Sequence, residues 1–348
     1  MSILITGGSG FLGSALINRL LGRHPGITIY DLSRHPKPRP PFLKGVLPLA
    51  GDILKPNLGL APETPRDLTA VYHLAALHYL GDDKEELTMA TNVTGTANVI
   101  DFCERHHVEH LFFCSTAYAS AVGRNPYERS KAEAEDLVKR SSAGLKYTIF
   151  KPSIVMGSEE YLYLGHFLQL VLLIIRINRT AETMRRAFEG TMRLPALRPL
   201  FRLPGDPAGR LNLISVEDVA AEMAAIEDQG TFWLTNPDPP TLEQICGWVS
   251  EVILVDVKME SEFKAMPLEL LFQKYGGAFL PYLQGDNFES KSVEIDNDDA
   301  HDDAVFPGTD IESPEGPPDF PAVKITRELI QKSVRRMIMG GNSNVISL

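Results

Sequence analysis

Residues Met1–Gly13 read MSILITGGSGFLG. A short apolar run, Ile3 to Ile5, has the character of a buried parallel strand. It breaks into glycines and then into a helical pattern from Phe11 to Leu21. Strand, glycine turn and helix in immediate succession open a dinucleotide-binding βαβ unit. The glycines have separable jobs: one allows the tight turn, one lets the backbone approach a pyrophosphate, and one lets helix and strand pack closely. The anion then sits at the helix N-terminus, where Phe11 and Leu12 begin the first turn and unpaired N–H groups favour negative charge. The spacing admits two frames. Gly8, Gly10 and Gly13 fit G-x-G-x-x-G, whereas Gly7, Gly10 and Gly13 fit G-x-x-G-x-x-G.

Working outward, strand patterns fall at Ile3–Thr6, Ile27–Tyr30, Val46–Leu49, Val71–Leu74, Leu111–Ser115 and Lys146–Phe150. Helical patterns fall at Gly10–Leu21, Glu85–Cys103 and Pro126–Ser141. Strands separated by helices imply right-handed crossovers and a parallel sheet covered on both faces. The alternation degrades after Pro152. The expected fold is therefore α/β: a Rossmann-type, doubly wound parallel sheet over 1–155 that binds NAD(P), with a smaller C-terminal substrate lobe over 156–348. Within that lobe, 210–235 returns to the core, since Arg210–Ile226 reads as strand then helix. Thr231–Val249 reads as strand, turn and helix, with Thr241 as N-cap. The stretch 286–321 is rich in acids, Pro and Gly and reads as an irregular solvated segment. Its aspartates, Asp296, Asp298, Asp299, Asp302 and Asp303, are read as solvated charge rather than a metal site. The same holds for His106, His107 and His110, between a helix and a strand.

The chain has 348 residues and a formal net charge of -11, which argues against non-specific nucleic-acid binding. Its three cysteines, Cys103, Cys114 and Cys246, show neither paired nor metal-like spacing, as expected of a reducing cytoplasm. The N-terminus enters the first strand at once, leaving no room for a signal peptide. Tyr161–Asn178, YLYLGHFLQLVLLIIRIN, is very apolar, but His166, Gln169 and Arg176 interrupt it. The unbroken part, Leu170–Ile175, is too short to span a bilayer. It reads as a buried helix or the wall of an apolar pocket. The arginines Arg176, Arg179, Arg185 and Arg186 keep peripheral membrane contact as a second reading.

Three groups carry chemistry. Asp31, in IYDLSR after the second strand, stands where an acid accepts hydrogen bonds from the adenosine ribose. It favours NAD(H) by repelling a 2′-phosphate, while Arg34 leaves NADP(H) open. Tyr127 and Lys131, four apart in PYERSKAEAE, share a helix face. A neighbouring ammonium lowers the tyrosine pKa from about 10 toward a range useful for acid–base work. Thr116, in FFCSTAY, lies at the carboxyl end of a strand, where such sheets bind ligands, and could hold a substrate oxygen. Ser115 is its neighbour, and strand alternation points only one of the two inward.

Taken in order, TGGSGFLG, Asp31, GDI (Gly51–Ile53), HLAAL (His73–Leu77), NVTGTANV (Asn92–Val99), CST (Cys114–Thr116), YERSK (Tyr127–Lys131), KPSIVMG (Lys151–Gly157) and LISVEDVA (Leu213–Ala220) make the chain resemble an extended short-chain dehydrogenase/reductase. The likeness covers about the first 225 residues. Its phrasing is most similar to the branch with fatty acyl-CoA reductases and thioester reductases. The resemblance implies that Tyr127 is the acid/base, Lys131 lowers its pKa and binds ribose, and Thr116 orients the substrate oxygen. It further implies that Asp52 and Ile53 border the adenine, Ala75 and Ala76 line the cofactor groove, Asn92 supports the site, and Pro152 and Ser153 approach the nicotinamide. His78 and Tyr79, after HLAAL, would face substrate. The short Thr116–Tyr127 spacing implies a trimmed loop and a more open site. The expected activity is hydride transfer at a carbonyl or alcohol carbon of a lipophilic metabolite, a ketoreductase, with acyl-thioester reduction as the close variant. A nucleotide-sugar epimerase or dehydratase and a non-catalytic NAD-binding sensor are the alternatives. The family implies a monomer or homodimer.

Overall fold

The apolar run after Met1 forms β1 (Ser2–Thr6), in which Ile3, Leu4 and Ile5 have no exposed surface. Residues buried on both faces of a strand belong to a covered parallel sheet. The computed structural model describes residues 1–38, 43–61, 65, 67–81, 86–141, 144–157, 161, 165–189, 199–253, 255–285, 293–294 and 325–340. After β1 come α1 (Phe11–Arg23), β2 (Thr28–Ser33), β3 (Val46–Ala50), β4 (Ala70–His73), α2 (Leu87–Met89), a π turn (Ala90–Thr94) and α3 (Gly95–Arg105). Then follow β5 (His110–Cys114), α4 (Pro126–Lys139), β6 (Lys146–Pro152), β7 (Ile154–Met156), α5 (His166–Glu189), β8 (Leu200–Pro204), β9 (Leu213–Ser215) and α6 (Val216–Ala225). The chain continues through β10 (Gly230–Leu234), α7 (Leu242–Ile253), β11 (Asp256–Glu260), α8 (Pro267–Tyr275), a 3-10 stretch (Gly277–Gln284), β12 (Val293–Glu294) and α9 (Arg327–Gly340).

Two compact units result. The first contains Met1–Ser153 and Val216–Thr235. Its sheet runs β12-β10-β6-β5-β4-β1-β2-β3, parallel throughout except for β12 against β10. The chain moves outward from β1 to β3, then returns to the other side of β1 with β4. The carboxyl ends of β1 and β4 therefore face connections that leave in opposite directions, the switch point where such sheets hold ligands. Aromatic rings cross the sheet beneath. Tyr72 stacks on Phe112 at 4.3 Å, and Phe112, Phe150 and Phe232 continue the row at 6.0 and 6.5 Å.

Two local readings change. The second strand extends three residues beyond Tyr30, because its pairing with β3 continues to Ser33 opposite Ala50. Asp31 thus lies inside β2, between Ile5 and Pro48, instead of following it. The helix expected over Glu85–Cys103 is divided by the π turn, and Glu85 lies outside the described residues.

The second unit holds Ile154–Ser215, Asn236–Glu289 and the C-terminal helix. It contains two parallel strand pairs, β7 with β9 and β8 with β11. The apolar segment read from Tyr161 becomes α5. It starts at His166 and buries Phe167, Val171 and Ile174, packing on β7, α8 and α9. Residues 162–164 lie outside the described residues, as does the acidic segment 286–321 with its aspartates, apart from β12. No helix among the described residues is long and apolar enough to cross a membrane. Thr241 caps α7 reciprocally. Its Oγ1 accepts the Gln244 N–H at 3.1 Å, and Gln244 Oε1 accepts the Thr241 N–H at 2.9 Å, the capping-box arrangement.

Phe112 is 4% exposed at the centre of the ring row. Phe112→Ala is expected to cost about 3–5 kcal/mol, read as a lower urea midpoint with an unchanged m-value.

Candidate active site

At the end of β1 the backbone turns so sharply that side chains are excluded. Gly7 takes φ +76°, and a Cβ there would lie 2.8 Å from the Ala75 nitrogen. A Cβ on Gly13 would lie 2.2 Å from the Gly7 carbonyl oxygen. The Gly10 N–H donates to that same oxygen at 3.0 Å. The left-handed residue is therefore Gly7, and the turn uses the G-x-x-G-x-x-G frame. Gly8 is needed for another reason: a Cβ there would meet Asp31 Oδ1 at 2.3 Å. The carboxylate of Asp31, 4% exposed, lies against the turn. Arg34 is exposed past the end of β2. No side chain caps α1 at Gly10, and a helix N-terminus of this kind favours an anion. A cradle that any Cβ would fill fits a dinucleotide pyrophosphate.

Polar contacts join the ends of β1 and β4. Thr96 Oγ1 donates to the Asn92 carbonyl at 2.6 Å, so it accepts from His73 Nε2 at 3.1 Å. His73 Nδ1 then accepts from Thr6 Oγ1 at 2.7 Å, and that oxygen accepts the Ala75 N–H at 3.2 Å. The histidine is neutral. Burial, and secondarily the charge of Lys131, pushes its pKa down to about 3. Ala75 and Ala76 are half-buried beyond it. Asp52 Oδ1 accepts the Leu54 N–H at 3.0 Å. Ile53 is buried against Gly95, and its carbonyl accepts from Asn98 at 2.8 Å.

Asn92, in the π turn, clamps the strand-end loop to α4. Its Oδ1 accepts the Leu77 N–H at 2.7 Å, and its Nδ2 donates to the Leu77 carbonyl at 2.8 Å and to Ser130 Oγ at 2.9 Å. Ser130 Oγ in turn donates to the Tyr127 carbonyl at 2.8 Å. His78 and Tyr79 follow directly. Tyr79 is 58% exposed, and His78 is held below the usual histidine range by burial and by Lys131.

α4 begins with Asn125, whose side chain accepts the Glu128 N–H at 2.9 Å, and with Pro126. The segment before it is short and pinned. Arg124 grips Glu128 from its Nη2 at 2.7 Å and its Nε at 3.0 Å, and Arg129 Nη1 donates to the Gly123 carbonyl at 2.9 Å. Tyr127 is half-buried, and Lys131 is 2% exposed one turn on. Lys131 Nζ donates to the Cys114 carbonyl at 2.6 Å and sits 4.6 Å from the Phe113 ring centre. Burial lowers its pKa, opposed by Cys114 and Glu135. Just past Cys114, neighbouring hydroxyls part company. Ser115 Oγ donates to Glu135 Oε1 on α4. Thr116 Oγ1 accepts the Tyr118 N–H at 3.4 Å and lies 3.5 Å from the Pro152 carbonyl. Beside Pro152, the buried Ser153 Oγ has no hydrogen-bond partner among the described residues.

Sequence reasoning missed Thr6, His73, Glu135 and Lys151. Glu135 continues the four-residue spacing of Tyr127 and Lys131, a signal within reach. Nothing local marks Lys151 as its partner.

The NAD dependent epimerase/dehydratase family model matches residues 3–184, over half of the chain. A Drosophila melanogaster protein provisionally named fatty acyl-CoA reductase CG8303 is 27% identical over 46% of this chain and 42% of its own. The 2-alkyl-3-oxoalkanoate reductase of Stenotrophomonas maltophilia is 33% identical over 45% of this chain and 52% of its own. The chain thus matches about half the length of these curated relatives. Among solved structures, the terminal R domain of the myxalamid PKS-NRPS pathway superposes with a TM-score of 0.68 at 20% identity. That superposition covers 99% of this chain and 92% of the other.

Two outcomes test this geometry. Gly13→Ala is expected to weaken NADH binding at least about tenfold, read by fluorescence titration, because its methyl group would overlap the Gly7 carbonyl. The native His73 pKa of about 3 lies below the value of about 6.5 in an unfolded chain. The unfolded state therefore binds the proton more readily. Its stability contribution is full above pH 6.5 or so and is lost as pH falls toward 3. His73→Gln is expected to flatten the fall of urea midpoint with acid by up to one proton's slope, about 1.4 kcal/mol per pH unit.

Proposed function

The chain belongs to the NAD dependent epimerase/dehydratase family, and from that premise we propose that it is a reductase of the extended short-chain dehydrogenase/reductase kind, acting on a carbonyl or alcohol carbon of a lipophilic metabolite. The observation that carries this reading is the seating of Lys131 on the Cys114 carbonyl, one helical turn from Tyr127 and two residues from Thr116. In this reading Gly7, Gly10, Phe11, Leu12 and Gly13 hold the pyrophosphate, and Asp31 holds the adenosine ribose. Asp52 and Ile53 border the adenine, and Ala75 and Ala76 line the groove. Lys131 reaches the second ribose, and Pro152 and Ser153 meet the nicotinamide. When bound, the nicotinamide supplies the hydride. Tyr127 and Thr116 hold the substrate oxygen between them. Tyr127 gives its phenolic proton to that oxygen as the carbonyl is reduced, and the Lys131 ammonium stabilises the phenolate left behind. Asn92 acts on the site through Leu77 and Ser130, holding the loop that carries His78 and Tyr79.

Support for a lipophilic substrate comes from the relatives' names, an oxoalkanoate reductase and a fatty acyl-CoA reductase. Reduction of an acyl thioester is the second reading. It is favoured by the full-length likeness to a terminal R domain and by the acyl-CoA relative. A nucleotide-sugar epimerase would cycle its cofactor without net consumption.

Purified protein assayed for NADH and NADPH oxidation against lipophilic ketones, aldehydes and acyl thioesters separates these readings. Turnover is expected with at least one carbonyl class, and Tyr127→Phe is expected to lower kcat about 10²–10⁴-fold while cofactor affinity holds. No net oxidation across the panel, with cofactor bound, would overturn the reductase reading in favour of an epimerase or a sensor. Asp31→Asn is expected to narrow any preference for NADH over NADPH, measured as the ratio of the two kcat/KM values.

A further inference from the structure

We propose that Glu135 is a positioning residue for the Tyr127–Lys131 pair: clamped between Ser115 and Lys151, it fixes the working face of α4 over the ends of β5 and β6 and balances the charge buried there. The proposal rests on the reading of Tyr127 and Lys131 given above. Tyr127, Lys131 and Glu135 stand at i, i+4 and i+8 and so share one helix face. Glu135 is 8% exposed. Its two carboxylate oxygens each take a hydrogen bond from Lys151 Nζ at 2.8 Å, and Oε1 also accepts from Ser115 Oγ. Lys151 is 6% exposed, with its ammonium 4.8 Å from the Trp233 ring centre.

One side chain on the helix is thereby tied to two strands. Ser115 directly follows β5, whose Cys114 carbonyl receives Lys131, and the Ser115 N–H donates to the Phe150 carbonyl at 2.8 Å, next to Lys151. Rotation of α4 that moved Lys131 off its carbonyl would break the Glu135 contacts as well. The charges count in the same direction. Glu135 opposes the desolvation of Lys131 and is itself paired with Lys151 at 2.8 Å.

The other titratable groups packed around this helix include Cys114 from β5, Cys103 from α3, Tyr147 and Lys151 from β6, His73 at the end of β4, His78 after it, and the Arg124–Glu128 pair in the first turn. α2 and the π turn bring none. Burial raises both thiols, and burial with Lys131 lowers both histidines.

Ultraviolet difference titration of each protein against its own Tyr127→Phe counterpart isolates one of ten tyrosines without substrate or cofactor. Glu135→Gln removes the carboxylate charge and is expected to lower the phenolate midpoint by about half a pH unit. Lys151→Met is expected to raise it, the double variant to return it close to wild type, and Glu135→Asp to hold it. Shifts of opposite sign that cancel are not produced by a loss of packing. Single variants that retain native near-ultraviolet dichroism but leave the midpoint fixed, or move it in one common direction, would overturn the proposal. If Glu135→Gln does not fold, the rise in Lys151→Met and its reversal in the double variant decide. A wild-type midpoint at the value of free tyrosine would count against Tyr127 as the acid/base, while the shifts between variants would still judge Glu135.

Discussion

An ammonium group taken out of water must find acceptors and compensating charge or give up its proton. Lys131 meets that demand at the end of β5, with a backbone carbonyl, an aromatic face and the field of Glu135. Much of the neighbourhood follows from the requirement. Lys131 reaches the carbonyl of Cys114, the last residue of β5. α4 has to start close by, which the short, pinned run from Arg124 to Glu128 secures. His73 stays neutral in the same field, and burial and Lys131 lower the His78 pKa.

The glycine turn imposes a second demand of a different kind, one of volume. Gly7 against Ala75 and Gly13 against Gly7 bring β1, α1 and the end of β4 to closest approach at the sheet's switch point. The hydrogen-bonded row from Ala75 through Thr6 and His73 to Thr96 runs directly below. It ties β1, β4 and α3 together where the groove would otherwise widen. Asn92 repeats the device one layer on, joining the loop after β4 to α4. The His73 ring, hydroxyls and the Asn92 amide thus tie β1, β4, α3 and α4 together at this end of the sheet.

What the sequence revealed was local. Strand, turn and helix at Met1–Gly13 are set by residues in immediate succession, and the Thr241 cap and the face shared by Tyr127 and Lys131 need only a few positions. Asp31 was misplaced relative to its strand because β2 ends where its partner β3 ends, and pairing partners are not written in the strand itself. The break in the helix before Cys103 falls at Asn92, which reaches Leu77 across fifteen positions. The Glu135–Lys151 pair spans sixteen, and the β8–β11 pairing in the second unit joins strands over fifty residues apart. Neither periodicity nor spacing carries such information.

The packing of Gly8 on Asp31 makes these two positions one steric unit. A side chain at 8 has no room while a carboxylate occupies 31, so the route to a larger residue at 8 passes first through a smaller or redirected one at 31. A change at 31 that removes or redirects the carboxylate would then come before a larger residue at 8. The order in which these two positions can change is set by a contact between a strand and a loop.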